Sequence, residues 1–288
     1  MVKALKVIAI TGCIAYVAAC IGVRLMERSL VFQPGARAVS LPDPSLHLNE
    51  RTVTFRSADS TRLTAWIVPG ANAAPDAPWV LISHGNYGNI AYGGRPQFYA
   101  WFRDLGVNLF AYDYRGFGAS DGTPSEAGVY ADAYAAYRYL TDSLHVPPSR
   151  IILFGHSLGT GVTIELARHA PAAGMILEDA YTSVADRGQE VFPLLPIRLI
   201  AASRFASIEK VGGLRLPKLF LHARNDRTIP IDHGRKVFAA AAEPKTFVEL
   251  DAGHADAYTA DRDRYYGAID AFIRRVTTAA PMVAARTR

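Results

Sequence analysis

Ile151, Ile152, Leu153 and Phe154 run without interruption into Gly155-His156-Ser157-Leu158-Gly159, and a helix-compatible stretch follows. An apolar run, a Gly-x-Ser-x-Gly pentapeptide and a helix, in that order, predict a strand, a very sharp turn and a helix with the serine at the apex. Such a turn holds a hydroxyl out beside a base, which a serine needs to act as a nucleophile. It also crowds the positions two before and two after the serine, where Gly155 and Gly159 bring no side chain.

A second match, Gly118-Ala119-Ser120-Asp121-Gly122, lacks that context. Asp113-Tyr114-Arg115-Gly116-Phe117 separates it from the preceding apolar run, and Pro124 prevents a helix from starting directly behind Ser120. Ser120 reads as a turn residue.

At 288 residues, half of them apolar, one large domain with a substantial core is expected. The net charge of +5 is spread along the chain and forms no basic patch with interleaved aromatics, so nucleic acid is not an expected partner. The two cysteines, Cys13 and Cys20, both lie near the N-terminus, which leaves the rest of the chain without a disulfide or a thiolate metal site. Lys3 and Lys6 precede the uncharged stretch Val7–Val23, and Arg24, Glu27 and Arg28 follow it. As a helix that stretch spans about 25 Å, the short limit for crossing a bilayer. A membrane anchor over residues 1–26 is the leading reading. A cleaved secretory signal is a second, and a lipoprotein signal is a third, because Val17-Ala18-Ala19-Cys20 resembles a lipobox that would leave Cys20 acylated.

Residues 27–49 are expected to be a tether, rich in proline from Pro34 to Pro44, and 279–288 a C-terminal tail. Between them, over 50–278, short apolar runs alternate with helical patterns. Strands are expected at 52–55, 63–68, 79–83, 107–112, 151–154, 175–177, 219–221 and 246–250. Helices are expected at 96–105, 127–144, 158–169, 232–242 and 258–276. The first two strands are spaced as a hairpin, and the alternation that follows predicts an α/β fold: a mostly parallel eight-stranded sheet covered by helices on both faces. The segment 182–215 is longer than a simple crossover needs. Its run Phe192-Pro193-Leu194-Leu195-Pro196-Ile197 reads equally as a small cap or as a crossover helix with extra loop.

In an open sheet of this kind the site lies at the carboxyl ends of the strands. After an elbow serine, an acid and then a histidine are expected in chain order. Among the later histidines, His169 ends a helix, His222 lies in a strand and His233 opens a helix, whereas His254 follows the last strand in a free loop. His254 is the candidate base. Asp226, in the loop after the 219–221 strand, is the candidate acid, with Asp179 the runner-up; Asp251 is expected to shape the His254 turn. Two backbone N–H groups are needed to bind an oxyanion. Leu158 is the candidate for one. Asn86, in the Gly-bearing loop Ser83-His84-Gly85-Asn86-Tyr87-Gly88-Asn89, is the candidate for the other. His84 and His156 flank these residues and are expected to hold the framework.

These residues resemble the alpha/beta-hydrolase superfamily, and in particular its membrane-anchored, serine-aminopeptidase-like members. The resemblance covers roughly residues 27–278. It rests on Leu30-Val31-Phe32-Gln33-Pro34, His84-Gly85-Asn86-Tyr87-Gly88-Asn89-Ile90, Tyr112 to Ser120, the Ser157 pentapeptide, Asp226 with Pro230, and Gly253-His254. Ala223 departs from it, since glycine is common there. The resemblance implies hydrolysis of an ester, thioester or amide by Ser157, His254 and Asp226, with no metal and no organic cofactor. A membrane-associated hydrolase of lipid-like acyl esters is the leading expectation. A protein-lipid thioesterase or peptidase shares the chemistry, and a non-catalytic, membrane-tethered interaction protein is the reading from a different class.

Overall fold

Residues 2–278 are described by a computed structural model; Met1 and the expected tail at 279–288 lie outside the described residues. The apolar runs pair into one sheet in the order β1-β2-β4-β3-β5-β6-β7-β8. Its strands are β1 (Arg51–Arg56), β2 (Arg62–Val68), β3 (Trp79–Ser83), β4 (Asn108–Tyr112), β5 (Ile151–His156), β6 (Gly174–Glu178), β7 (Lys218–Ala223) and β8 (Lys245–Leu250). β1 and β2 form the expected antiparallel hairpin, β2 pairs antiparallel with β4, and β3 to β8 are parallel to their neighbours. Every residue of β6 and β7 is buried, as in a sheet covered on both faces.

The helices are α1 (Val2–Val31), α2 (Arg95–Arg103), α3 (Glu126–Arg138), α4 (Leu158–Ala167), α5 (Val184–Val191), α6 (Ile197–Ile200), α7 (Ser207–Lys210), α8 (Ile231–Ala240), α9 (Ala257–Ala260) and α10 (Arg262–Thr278). α3, α4 and α8 supply Val129, Val162 and Val237 to the core on one face. On the other face α2 and α10 supply Phe98, Phe102, Ile269 and Phe272. Capping sets where several helices begin: Ser125 accepts the Gly128 N–H at the start of α3, and Ser183 accepts the Asp186 N–H at the start of α5.

Three boundaries differ from expectation by more than two residues. The 127–144 helix is α-helical only to Arg138 and continues as a π turn, Tyr139–Ser143. The 258–276 helix breaks at Asp261, whose carboxylate accepts the Asp251 N–H at 3.0 Å. α1 runs on to Val31, into the segment expected to be a tether. There the Glu27 carboxylate accepts the N–H groups of Ala202 and Ser203, which leaves Glu27 the one buried residue of the helix. Residues 2–19 of α1 are exposed, and the helix is long and apolar enough to cross a bilayer. The 182–215 segment folds into three short helices, α5, α6 and α7. α5 and α6 overhang the carboxyl edge beside α1, while α7 packs on α4 and α8 as a crossover does.

Ser120 is fully buried. Its hydroxyl donates to Asp113 O at 2.9 Å and accepts the Thr64 N–H at 3.0 Å, stitching β2 to the loop after β4. Ser120→Ala leaves that N–H without a partner. Urea unfolding is expected to show a loss of about 1–3 kcal/mol, and an unchanged midpoint would mean Ser120 has no structural role.

Candidate active site

The carboxyl edge of the sheet gathers the loops after β3, β5, β6, β7 and β8. At the end of β5 the chain turns into α4 within one residue, and Ser157 takes φ 53°, ψ −120°. That is a sparsely populated conformation for a residue with a side chain. A Cβ at Gly155 would lie 2.5 Å from Gly159 O, and one at Gly159 would collide with Ser83 O, so both positions require glycine. The turn is held by Ser157 N–H donating to Glu178 O at 2.9 Å and by the Thr160 N–H and hydroxyl donating to Ser157 O.

His254, in the loop after β8, stands with Nε2 3.0 Å from Ser157 Oγ. Its Nδ1–H donates to Asp226 Oδ2 at 2.6 Å. The other oxygen, Asp226 Oδ1, accepts the N–H groups of Thr228 and Ile229 at 2.7 Å each. Burial alone would raise the Asp226 carboxyl, but the His254 hydrogen bond and charge and the Ile229 N–H outweigh it and hold the group below its usual value. The runner-up, Asp179, lies farther from His254 Nδ1, at 3.6 Å, and accepts the Ala223 N–H. Burial, with Glu178 and Asp226 beside it, pushes Asp179 well above the normal carboxylate range. Ala223, the departure from the family pattern, thus serves this site through its backbone.

The flanking histidines hold the frame. His156 Nε2–H donates to His254 O at 3.1 Å, and burial beside His254 pushes the His156 ring down to about 3, so it is neutral. His84 Nδ1–H donates to Gly85 O at 2.7 Å, and burial lowers its pKa as well. His222 Nε2–H donates to Ile229 O, fixing the Asp226 loop. The side chain that shapes the His254 turn is Asp256, which accepts the Gly253 N–H at 2.7 Å, and not Asp251, whose carboxylate faces Asn225. The N–H groups of Leu158, at the first turn of α4, and of Asn86 donate to no protein group among the described residues. His156, Asp179 and His254, and likewise Asp179, His222 and Asp226, bring donor atoms within 4.8 Å of one another. The Nε2 atoms of His156 and His222 and the His254–Asp226 pair are, however, already spent on the hydrogen bonds above.

Two cavities meet at Ser157 and Asn86. One, of about 350 Å³, is walled by Val23, Leu30 and Val31 of α1 and by Val191 and Ile197 of the overhang. The other, of about 270 Å³, runs between the sheet and α2 and is lined by His254, Arg95, Tyr99 and Glu178. None of the last three stood out in sequence. Only the pair Glu178-Asp179, acidic at the end of an apolar strand, carried a signal.

The Glu178 carboxyl is buried and hydrogen-bonded to Tyr265 O–H, and burial pushes it from 4.5 up to about 8. The folded chain therefore keeps a proton that the unfolded chain releases between those two values, and stability falls as pH rises through that window. Glu178→Gln removes the titration. Its unfolding free energy is expected to exceed that of wild type by about 4 kcal/mol at pH 8 and to converge with it near pH 4. A pH-independent difference would mean Glu178 is ionised in the fold.

A family model described as serine aminopeptidase, S33, matches residues 75–208. An alpha/beta hydrolase domain-containing protein of Arabidopsis thaliana is 30% identical over 265 residues, covering 83% of this chain and 85% of its own. A lysophosphatidylserine lipase of Danio rerio is 34% identical over 187 residues, covering 59% of this chain and 48% of its own. Among solved structures, an esterase of Pyrococcus furiosus superposes with a TM-score of 0.70 at 17% identity, covering 85% of this chain and 98% of its own.

Proposed function

We propose, because the chain belongs to the alpha/beta-hydrolase superfamily, that it is a serine hydrolase cleaving carboxylic esters of lipid-like acyl substrates at a membrane surface. The observation that carries this reading is the hydrogen-bonded line from Ser157 Oγ through His254 to Asp226, 3.0 and 2.6 Å in its two links. Ser157 Oγ attacks the acyl carbonyl while His254 Nε2 takes its proton. Asp226 holds the imidazole in that tautomer and stabilises the imidazolium. The Leu158 and Asn86 N–H groups bind the oxyanion. The imidazolium then protonates the leaving alcohol, and a water activated by the same ring releases the acyl group as an acid.

Three observations favour an acyl chain and a membrane. The larger cavity has apolar walls and reaches from Ser157 to Val23, the end of the uncharged stretch of α1. Beside it, Leu194 and Leu199 at the tip of the overhang are 86% and 85% exposed, which suits a lipid interface better than water. The Danio rerio relative is named a lipase. An aminopeptidase, by contrast, needs an ionised carboxylate for the substrate's ammonium group. The carboxyl lining the smaller cavity, Glu178, holds its proton at neutral pH, and Arg95 repels a cation there.

A fluorophosphonate probe applied to the full chain in detergent micelles tests the reading. Wild type and Ser120→Ala should label and Ser157→Ala should not. Ester hydrolysis should fall about ten-thousandfold in Ser157→Ala and in His254→Ala, and kcat/KM should rise at least about tenfold from acetyl to octanoyl esters as the chain fills the apolar cavity. Folded wild-type protein that does not label would refute the hydrolase reading.

A further inference from the structure

The smaller cavity at Ser157 is chemically unlike its neighbour. Tyr99, 1% exposed, lines it, and the Tyr99 hydroxyl is buried without a hydrogen-bond partner. An orphaned buried hydroxyl is costly, and one beside a cavity points to a ligand that completes it. Arg95 lines the same cavity. Its guanidinium donates to the carbonyls of Tyr87 and Asn89, which leaves part of its fork of five N–H groups free. No carboxylate among the described residues pairs with it. The acid whose field reaches it, Asp113, is turned to the Ile90 N–H and to His84. Glu178 holds its proton at neutral pH and His156 is neutral, so the polar wall carries one positive charge and no ionised carboxylate. The remaining walls are apolar, Ile82, Phe98 and Phe154 among them. A partly buried guanidinium beside an unused hydroxyl matches an oxyanion such as a carboxylate or a phosphate, which accepts charge-assisted hydrogen bonds from both.

The geometry also says which end of a substrate enters. His254 lines this cavity and not the α1 cavity. The imidazole that took the serine proton must hand it to the leaving oxygen, so the leaving group extends past His254. The acyl chain is left the α1 side.

We propose that the cavity between the sheet and α2 is an oxyanion subsite, in which Arg95 and Tyr99 bind a carboxylate or phosphate carried by the substrate's leaving group. It rests on the hydrolase reading of Ser157, and two experiments separate the fates of the two. The first measures kcat/KM of the full chain in neutral-detergent micelles for phenyl hexanoate, meta-carboxyphenyl hexanoate and meta-phosphonophenyl hexanoate. The readout is the ratio of each anionic ester to the neutral one within a given variant, so a general loss of activity cancels. Wild type should favour at least one anionic ester by about ten- to hundredfold, the worth of hydrogen bonds to a charged group. Tyr99→Phe should cut that ratio about tenfold, Arg95→Gln should bring it near one, and Arg95→Lys should restore part of it. The identity of the favoured ester tells carboxylate from phosphate. A wild-type ratio near one, or a ratio unmoved by Tyr99→Phe and Arg95→Gln, overturns the subsite while leaving the hydrolase reading intact. The second experiment needs no turnover: calorimetric titration of Ser157→Ala with the same esters. An anionic ester bound about tenfold more weakly after Tyr99→Phe supports the subsite even where hydrolysis is absent. Equal affinity in both backgrounds overturns it.

Discussion

A single backbone conformation, at Ser157, sets the terms for everything around it. A side-chain-bearing residue at φ 53°, ψ −120° is unfavourable by roughly 1–3 kcal/mol and persists only where its surroundings over-determine it. β5 enters the turn from the centre of the sheet, paired on both sides, and α4 leaves it at once. Ser157 N–H is tied to the neighbouring strand at Glu178 O. The close approach of β3 to the start of α4, which excludes any side chain at Gly159, also delivers the loop after β3 to the hydroxyl. The strained turn thus sets Leu158, the first residue of α4, beside the loop that bears Asn86.

The N-terminal helix is bound into that arrangement more closely than a tether would be. Immediately past α1, Gln33 N–H donates to Asn86 O at 2.9 Å and Gln33 O accepts the Gly88 N–H at 3.0 Å. The same segment therefore braces the loop that presents Asn86. Phe32, 3% exposed, packs edge-on against Phe205 of the 182–215 segment, and Glu27 caps that segment at Ala202 and Ser203. One end of α1 fastens both the loop that bears Asn86 and the segment that walls the apolar cavity. In the membrane-associated reading proposed above, the position of α1 in a bilayer would set the depth and tilt of the cavity mouth.

The sheet was legible in sequence because strands buried on both faces must be continuous apolar runs, and turns of Gly, Pro and Asp separate them. Ser157, His254 and Asp226 were legible for a related reason: each follows a strand that ends at the same edge. The misread features depend on partners distant in sequence. Nothing near Asp261 announces that it leaves its helix for the Asp251 N–H, and nothing near Glu27 announces a partner at Ala202. Asp256 and Asp251 are indistinguishable as turn formers until the loop is folded. Tyr99 was invisible because an aromatic in an amphipathic helix reads as core, and most of its ring is core; only its hydroxyl is left over.

Three carboxyls crowd the ends of β6 and β7, and their competition explains why one residue is suited to partner His254. Glu178, Asp179 and Asp226 are all buried, and like charges this close cannot all ionise in a medium of low polarity. The charge goes to the group with the most donors aimed at it. Asp226 accepts from Thr228, Ile229 and His254, so desolvation is outweighed. Asp179 accepts from Ala223 alone and leaves its second oxygen unpartnered, and Glu178 has Tyr265, so burial wins at both: Asp179 is pushed well above the usual carboxylate range and Glu178 up to about 8. With both acids pushed toward their protonated forms, the Asp226 charge meets less opposition from neighbours of its own sign. The Glu178 proton leaves Arg95 the one charge facing the smaller cavity. The negative charge beside His254 and the positive charge on the wall of the smaller cavity are therefore set by the same distribution of protons.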